Sequence, residues 1–325
     1  MVRAPGHKYR RLFPSGRICP EACAYCIFKG GTTYYNCAGK RIYMHTVNYA
    51  GLDEQTLTEL LLVAEDRLEL TAAREIAARA EMTEVLSQLL VDKHNWLAEL
   101  PEWWAVVHAA FIMGYKGGSQ AIAPLLASLR WADAFDCDWV TEALPSIFGK
   151  IGEEAIPGLR MVAMDKTAGW SARNIALQSL AAISINYPAQ DEAVFRLIGD
   201  IFMDENEDRL LRQLAGIILL DFRRESYRLA LVKFSKEEWM VKDLDYYYAL
   251  GFSSEDVDFV FHQLEPFTWF YQEDWMRFYQ PAEIQRRQKR WSKERLSSAR
   301  RPHPPGGGGR VLSLWRPSDL KPEQE

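Results

Sequence analysis

FGKIGEEAIPGL (Phe148–Leu159) repeats, with changes, MGYKGGSQAIAPLL (Met113–Leu126), and this pair decides the fold. Each stretch reads as a helix ending, a short polar break with glycine, and a new helix opening on small or apolar residues. Looser echoes follow at ISINYPAQDEAVFRLI (Ile183–Ile198) and LLDFRRESYRLALV (Leu219–Val232). Ala121, Ala155 and Ala193 mark the matching point, 34 and then 38 residues apart. That period belongs to stacked helical hairpins, an α-solenoid, and not to a fold built around one central pocket. The expected class is all-α.

Working outward, four hairpins can be written. They pair residues 103–114 with 119–130, 138–149 with 153–164, 170–186 with 190–203, and 208–222 with 225–234. Pro124 and Pro157 are expected near the start of second helices, where a missing N–H costs little. Small residues recur inside first helices, among them Ala109, Ala110, Ala176, Ala181, Ala182, Ala215 and Gly216. They let neighbouring helices approach closely. Upstream, Asp53 can cap a helix whose stripe is Leu57, Leu60, Leu61 and Ala64. Pro101 is expected to open another helix, with Gly114 as its stop. One hairpin alone would leave apolar faces in water, so stacking is what stabilises them.

Three regions follow: an irregular, Cys-rich, basic segment over 1–48, a helical-repeat domain over 49–285, and a basic, Pro/Gly-rich tail over 286–325 that is expected to be largely disordered. The end of the repeat domain is aromatic. Its rings are expected to cap the last repeat, the alternative being an exposed patch for a partner, with Trp269 and Trp275 as candidate contacts. In the tail, RPHPPGGGGR cannot stay helical.

The formal net charge of −5 hides an asymmetry. Residues 42–285 hold 20 basic and 39 acidic residues, while residues 1–41 and 286–316 carry eight and ten Lys/Arg with one acid each. The acidic body repels phosphate backbones and the basic ends attract them. Nucleic acid is therefore an alternative partner through the ends, where Arg286, Arg287, Lys289, Arg290, Lys293 and Arg295 surround a Trp291 that can stack. No apolar run reaches the ~18–20 residues that span a bilayer, and the basic N-terminus lacks the apolar stretch of a secretory signal. No membrane partner is expected, and the expected location is cytoplasmic.

The hairpin sequence resembles HEAT-like repeat proteins. The phrase ALPSIFGKIGEEAIPGL, followed by Trp170–Ala181 as W-x-x-R-x-x-A-L-x-x-L-A, resembles a bacterial family of HEAT-like domains of unknown function. The resemblance covers roughly residues 51–235. It brings no catalytic residues with it and implies a scaffold or adaptor.

Four of the five cysteines lie in the first 37 residues. Cys19-x3-Cys23-x2-Cys26 has the spacing of radical S-adenosylmethionine enzymes, where three thiolates hold an iron–sulfur cluster. Those enzymes need a β/α barrel after the motif, and here helical repeats begin by residue 53. With Cys37 added, four thiolates would enclose a structural Zn2+. No other cofactor is expected. His108, in AVVHAAF, reads as a packed core histidine. No P-loop, GxGxxG, HExxH or GxSxG motif occurs. The expected function is a non-enzymatic scaffold that binds a protein through its repeat surface, with Arg160 and Arg196 on the second helices as contacts. The alternatives are a zinc or iron–sulfur protein using the N-terminal cysteines, and a nucleic-acid binder using the basic ends.

Overall fold

The computed structural model describes residues 33–35, 41–43, 47–238 and 251–299. Two compact units divide the chain, Met1–Asn48 and Tyr49–Glu325. In the first, β1 (Thr33–Tyr35) pairs antiparallel with β2 (Arg41–Tyr43), Tyr34 opposite Ile42. Thr, Tyr and Ile favour extended backbone, which accounts for this hairpin in a segment expected to be irregular. Cys19, Cys23, Cys26 and Cys37 lie outside the described residues.

The second unit is all-helical among the described residues. Its N-terminal end holds α1 (Glu54–Val63), α2 (Leu70–Ala78), α3 (Met82–Val91) and the short α4 (Lys93–Trp96). Asp53 caps α1 as expected, its carboxylate accepting from Thr56 N–H at 2.8 Å. The helix stops at Ala64 because Glu65 takes a positive φ of 52°. Four helix pairs follow. They are α5 (Trp104–Lys116) with α6 (Ser119–Ala134), α7 (Asp138–Ile151) with α8 (Ile156–Met164), α9 (Trp170–Asn186) with α10 (Asp191–Met203), and α11 (Arg209–Asp221) with α12 (Arg228–Glu238). Then come α13 (Ser254–His262) and α14 (Pro281–Ala299). The boundary expected at residue 286 falls inside α14.

Three local readings change. Pro101 follows a cis peptide bond in the turn before α5 rather than opening the helix. The α5 helix passes through Gly114 and ends at Gly117 and Gly118, both at positive φ. Pro157 sits in the first turn of α8, whereas Pro124 lies inside α6.

First helices pack on one another in order, α5 on α7, α7 on α9 and α9 on α11. Side chains at their C-terminal ends repeat one device. Lys116 donates to Ala77 O and Arg79 O, Lys150 to Tyr115 O, and Asn186 to Gly149 O, each reaching the C-terminal end of an earlier helix. A second device recurs at the entry to first helices. Arg173 Nε donates to Ala163 O at 2.8 Å, and Arg212 Nε to Phe202 O at 3.0 Å, each ten residues back. Free carbonyls at helix ends are satisfied this way. At Gly149 the obstacle is backbone: an added Cβ would lie 3.0 Å from Ala182 Cβ and 3.2 Å from its carbonyl oxygen.

Candidate functional site

The aromatic segment does not stop over the last hairpin. Residues 267–291 run back along the first helices toward α1, as a strap. Phe267 N–H donates to Asp221 O at the end of α11, and Tyr271 O–H donates to the Asp221 carboxylate at 2.9 Å. The turn Trp269–Gln272 packs on α9 and α7, and the turn Trp275–Tyr279 on α7, α5 and α2. Trp275 is buried, and its indole N–H donates to Phe111 O at 3.0 Å. Phe278 meets Phe111 and Trp139 edge-on, with centroids 5.3 and 5.5 Å apart. Aromatic pairs of this geometry add to simple burial. Trp239 and Tyr246–Tyr248 lie outside the described residues.

The strap ends in a buried polar knot. His108 Nε2 lies 2.6 Å from Glu65 O, and its Nδ1 lies 3.2 Å from Tyr279 Oη. A carbonyl only accepts, so Nε2 carries the proton and Nδ1 accepts from the tyrosine. Burial pushes the His108 pKa down to about 4, so the ring is neutral at pH 7. Asp66 is fully buried in the turn after α1. From α14, Arg287 Nε reaches its carboxylate at 3.4 Å and Gln288 donates to both its oxygens at 2.7 and 2.9 Å. Arg287 Nη2 also donates to Asp66 O and Phe278 O, at 2.8 and 2.7 Å. The guanidinium lies 3.8 Å from the Phe278 ring centroid, in cation–π range. Despite these partners, burial keeps the Asp66 pKa raised. This knot joins parts of the chain 221 residues apart.

These contacts change the meaning of the basic stretch on α14. Arg287 is committed to the knot, Arg286 pairs with Glu283 at 2.7 Å, and Trp291 packs 5.7 Å from Trp104. The ring expected to stack on a base is a packing residue.

Between α7, the strap and α14 lies a cavity of about 80 Å3. Phe111, Trp139, Trp275 and Phe278 form its apolar wall, and Glu142, Glu273, Glu283, Arg277 and Arg286 line its rim. Glu283 bridges Arg277 at 2.8 Å and Arg286 at 2.7 Å. Glu142 has no hydrogen-bond or ion-pair partner among the described residues. Burial first, then the charges of Asp138 and Glu273, push its pKa up to about 8. Small-molecule sites usually enclose about 300–1,000 Å3. This cavity is far smaller, so it cannot enclose a substrate of that size. Among the described residues, no three His, Cys, Asp or Glu side chains are placed to hold a metal ion. No helix among them is long and apolar enough to cross a membrane.

The second helices carry the sequence-derived contacts. Arg160 is exposed on α8, and Arg196 is exposed on α10, where it pairs with Glu192. On these second helices and on α12, Met161, Met164, Met203 and Leu229 are 68%, 53%, 54% and 87% exposed. Three other arginines, Arg173, Arg212 and Arg228, are tied to neighbouring groups. Arg173 grips Glu207 through both guanidinium nitrogens at 2.8 and 2.7 Å, holding that carboxyl down at about 2. Arg212 clasps Phe202 O, and Arg228 reaches Asp258 at 3.3 Å. Trp269 is 58% exposed, at the outer edge of the strap. The strap cavity and the methionines were missed by sequence reasoning. Met164 lies four residues after Arg160 and Met203 seven after Arg196, and that helical spacing could have marked both as outward.

A pH test follows from the strap. Burial raises the Asp221 pKa from 3.8 to about 7, against the Tyr271 hydrogen bond that lowers it. The folded state then holds a proton that the unfolded state has lost, so stability falls as pH rises from the unfolded value through about 7. Glu142 acts in the same direction up to about 8. His108 acts oppositely, because folding keeps it neutral between about 4 and 6.5, and stability there rises with pH. Above pH 6.5 only the carboxylate effect remains. Chemical denaturation is expected to show lower stability at pH 8 than at pH 6.5. Asp221→Asn, which still accepts from Tyr271, narrows the difference.

No protein-family model, curated protein or solved structure matches this chain.

Proposed function

We propose that the protein is a non-enzymatic scaffold, a HEAT-like α-solenoid that binds a protein partner on the outward face of its second helices. The observation that carries this reading is the contrast between its two layers. The first-helix layer is covered by the strap and anchored at Asp221, Phe111 and Asp66. The second helices expose Met161, Met164, Met203 and Leu229 as well as Arg160 and Arg196. Unbranched, polarisable methionines suit adaptable protein contacts, and arginine is enriched among residues that dominate binding energy. The repeated Lys116, Lys150 and Asn186 bonds, and the repeated Arg173 and Arg212 clasps, support a stack built from equivalent units.

Affinity capture with the full chain tests this. A discrete protein is expected to be enriched by the wild type and lost with Arg160→Glu combined with Arg196→Glu. Lys289→Glu, on the basic helix α14, leaves capture unchanged. Enrichment that survives the arginine reversals and disappears with Lys289→Glu overturns the reading in favour of contact through the basic end.

A further inference from the structure

The cavity beneath the strap is chemically unbalanced. Its arginines have occupations: Glu283 holds Arg277 and Arg286, and Asp66 with Phe278 O holds Arg287. Arg290 also lines it and has interactions of its own. Lys150, further along α7, donates to Tyr115 O. The acidic side is not matched in the same way. Asp274 accepts from Met276 N–H, but no hydrogen bond or ion pair joins Glu142 to a described residue. Asp138, one turn before it on α7, and Glu273 of the strap add like charge. Four aromatic rings, Phe111, Trp139, Trp275 and Phe278, line the cavity with Glu142; Arg287 already lies 3.8 Å from the Phe278 centroid and Lys150 5.5 Å from that of Trp275, which leaves Phe111 and Trp139 without a cation among the described residues.

A carboxylate against aromatic rings is the complement of an organic cation. Size narrows the guest. At about 80 Å3 the space is roughly half of the ~150 Å3 cavity that admits benzene, enough for a head group of about four heavy atoms. We propose that this cavity receives one cationic side-chain head group, the guanidinium or ammonium of an arginine or lysine presented by the partner, with Glu142 as its counter-ion. The inference rests on the protein-scaffold reading only for the source of that side chain. The cavity itself can be tested without any partner.

The experiment is calorimetric titration of the full chain with N-acetyl-arginine methylamide, at pH 7 and pH 9, in buffers of different ionisation enthalpy. The guanidinium is charged throughout. Binding requires Glu142 ionised, and with a pKa of about 8 its ionised fraction rises about tenfold between these pH values. Saturable binding is expected, about tenfold tighter at pH 9, with close to one proton released per ligand at pH 7. Glu142→Gln, an isostere of the protonated acid, is expected to fold with undiminished thermal stability and lose both binding and proton release. Absence of saturable binding at pH 9, or binding undiminished in Glu142→Gln, overturns the proposal. So does displacement of the ligand by inorganic phosphate. Free guanidinium binding as tightly as the capped arginine overturns the side-chain source and makes the site one for small cations. Loss of partner capture with intact cavity binding counts against the scaffold reading alone.

Discussion

Arg287→Ala is expected to lower the unfolding free energy by about 3–5 kcal/mol, the usual cost of removing one partner from a buried ion pair. Asp66 is fully buried, and Arg287 is its cationic partner in the knot. Removing the guanidinium also strips donors from Asp66 O and Phe278 O, which lie out of reach of water. Gln288 still donates to the carboxylate, and the carboxylate can take up a proton, so the loss is not the full cost of an isolated buried charge. For a chain of this size the melting temperature should fall by about 10 °C. Pairing Arg287→Met with Asp66→Leu should recover much of the loss, because hydrophobic replacement of both members removes the stranded charge. Thermal unfolding of the three proteins checks this. A single variant as stable as the wild type would mean that α14 does not hold the strap.

Gly149→Leu should cost about 3 kcal/mol, the upper part of the range for overpacking. At most tight positions a neighbouring side chain can swing away. Here the obstacles are Ala182 Cβ, 3.0 Å away, and the Ala182 carbonyl group, 3.2 and 3.3 Å away, which move only if α9 itself moves. Separating α7 from α9 would also break the Asn186 bond to Gly149 O and disturb the strap turn Trp269–Gln272, which packs on both helices. Denaturant unfolding should therefore show a lower midpoint, and Asp221 should lose part of its Tyr271 contact. Gly149→Ala is the graded control, with a smaller loss.

The helix pairs were legible because their signal is local. Apolar periodicity and the breaks at Gly117, Gly152 and Asp204 lie within a few residues of the boundaries they set. His108 was legible as a packed core residue for the same reason: its helix is apolar on both sides. The strap was not legible. Its partners are Asp66, 221 residues before Arg287, and Phe111, 164 residues before Trp275, and no periodicity links such positions. Two misreadings came from that gap. The Arg-rich stretch of α14 looks like a solvated basic helix until Asp66 is placed beneath Arg287. Trp275 looks like a contact for a partner until Phe111 O is placed at its indole nitrogen. The cavity beside Glu142 was hidden for the same reason, since its walls come from α5, α7 and the returning strap.

The strap gives the proposed scaffold a defined geometry. A stack of helix pairs flexes when each pair touches only its neighbours. A segment anchored at α11, α5 and the turn after α1 restrains that flexing, and holds the second helices at set spacing. In the proposed scaffold, Arg160, Met161 and Arg196 would then be prearranged for contact, which lowers the ordering cost of binding.

The direct measurement is site-specific photo-crosslinking of the full chain in its own cells, with a benzophenone side chain at position 161, 196 or 289. Adducts with the same protein from positions 161 and 196, and none from 289, are the predicted result. Adducts confined to position 289, or formed with nucleic acid, would contradict the account.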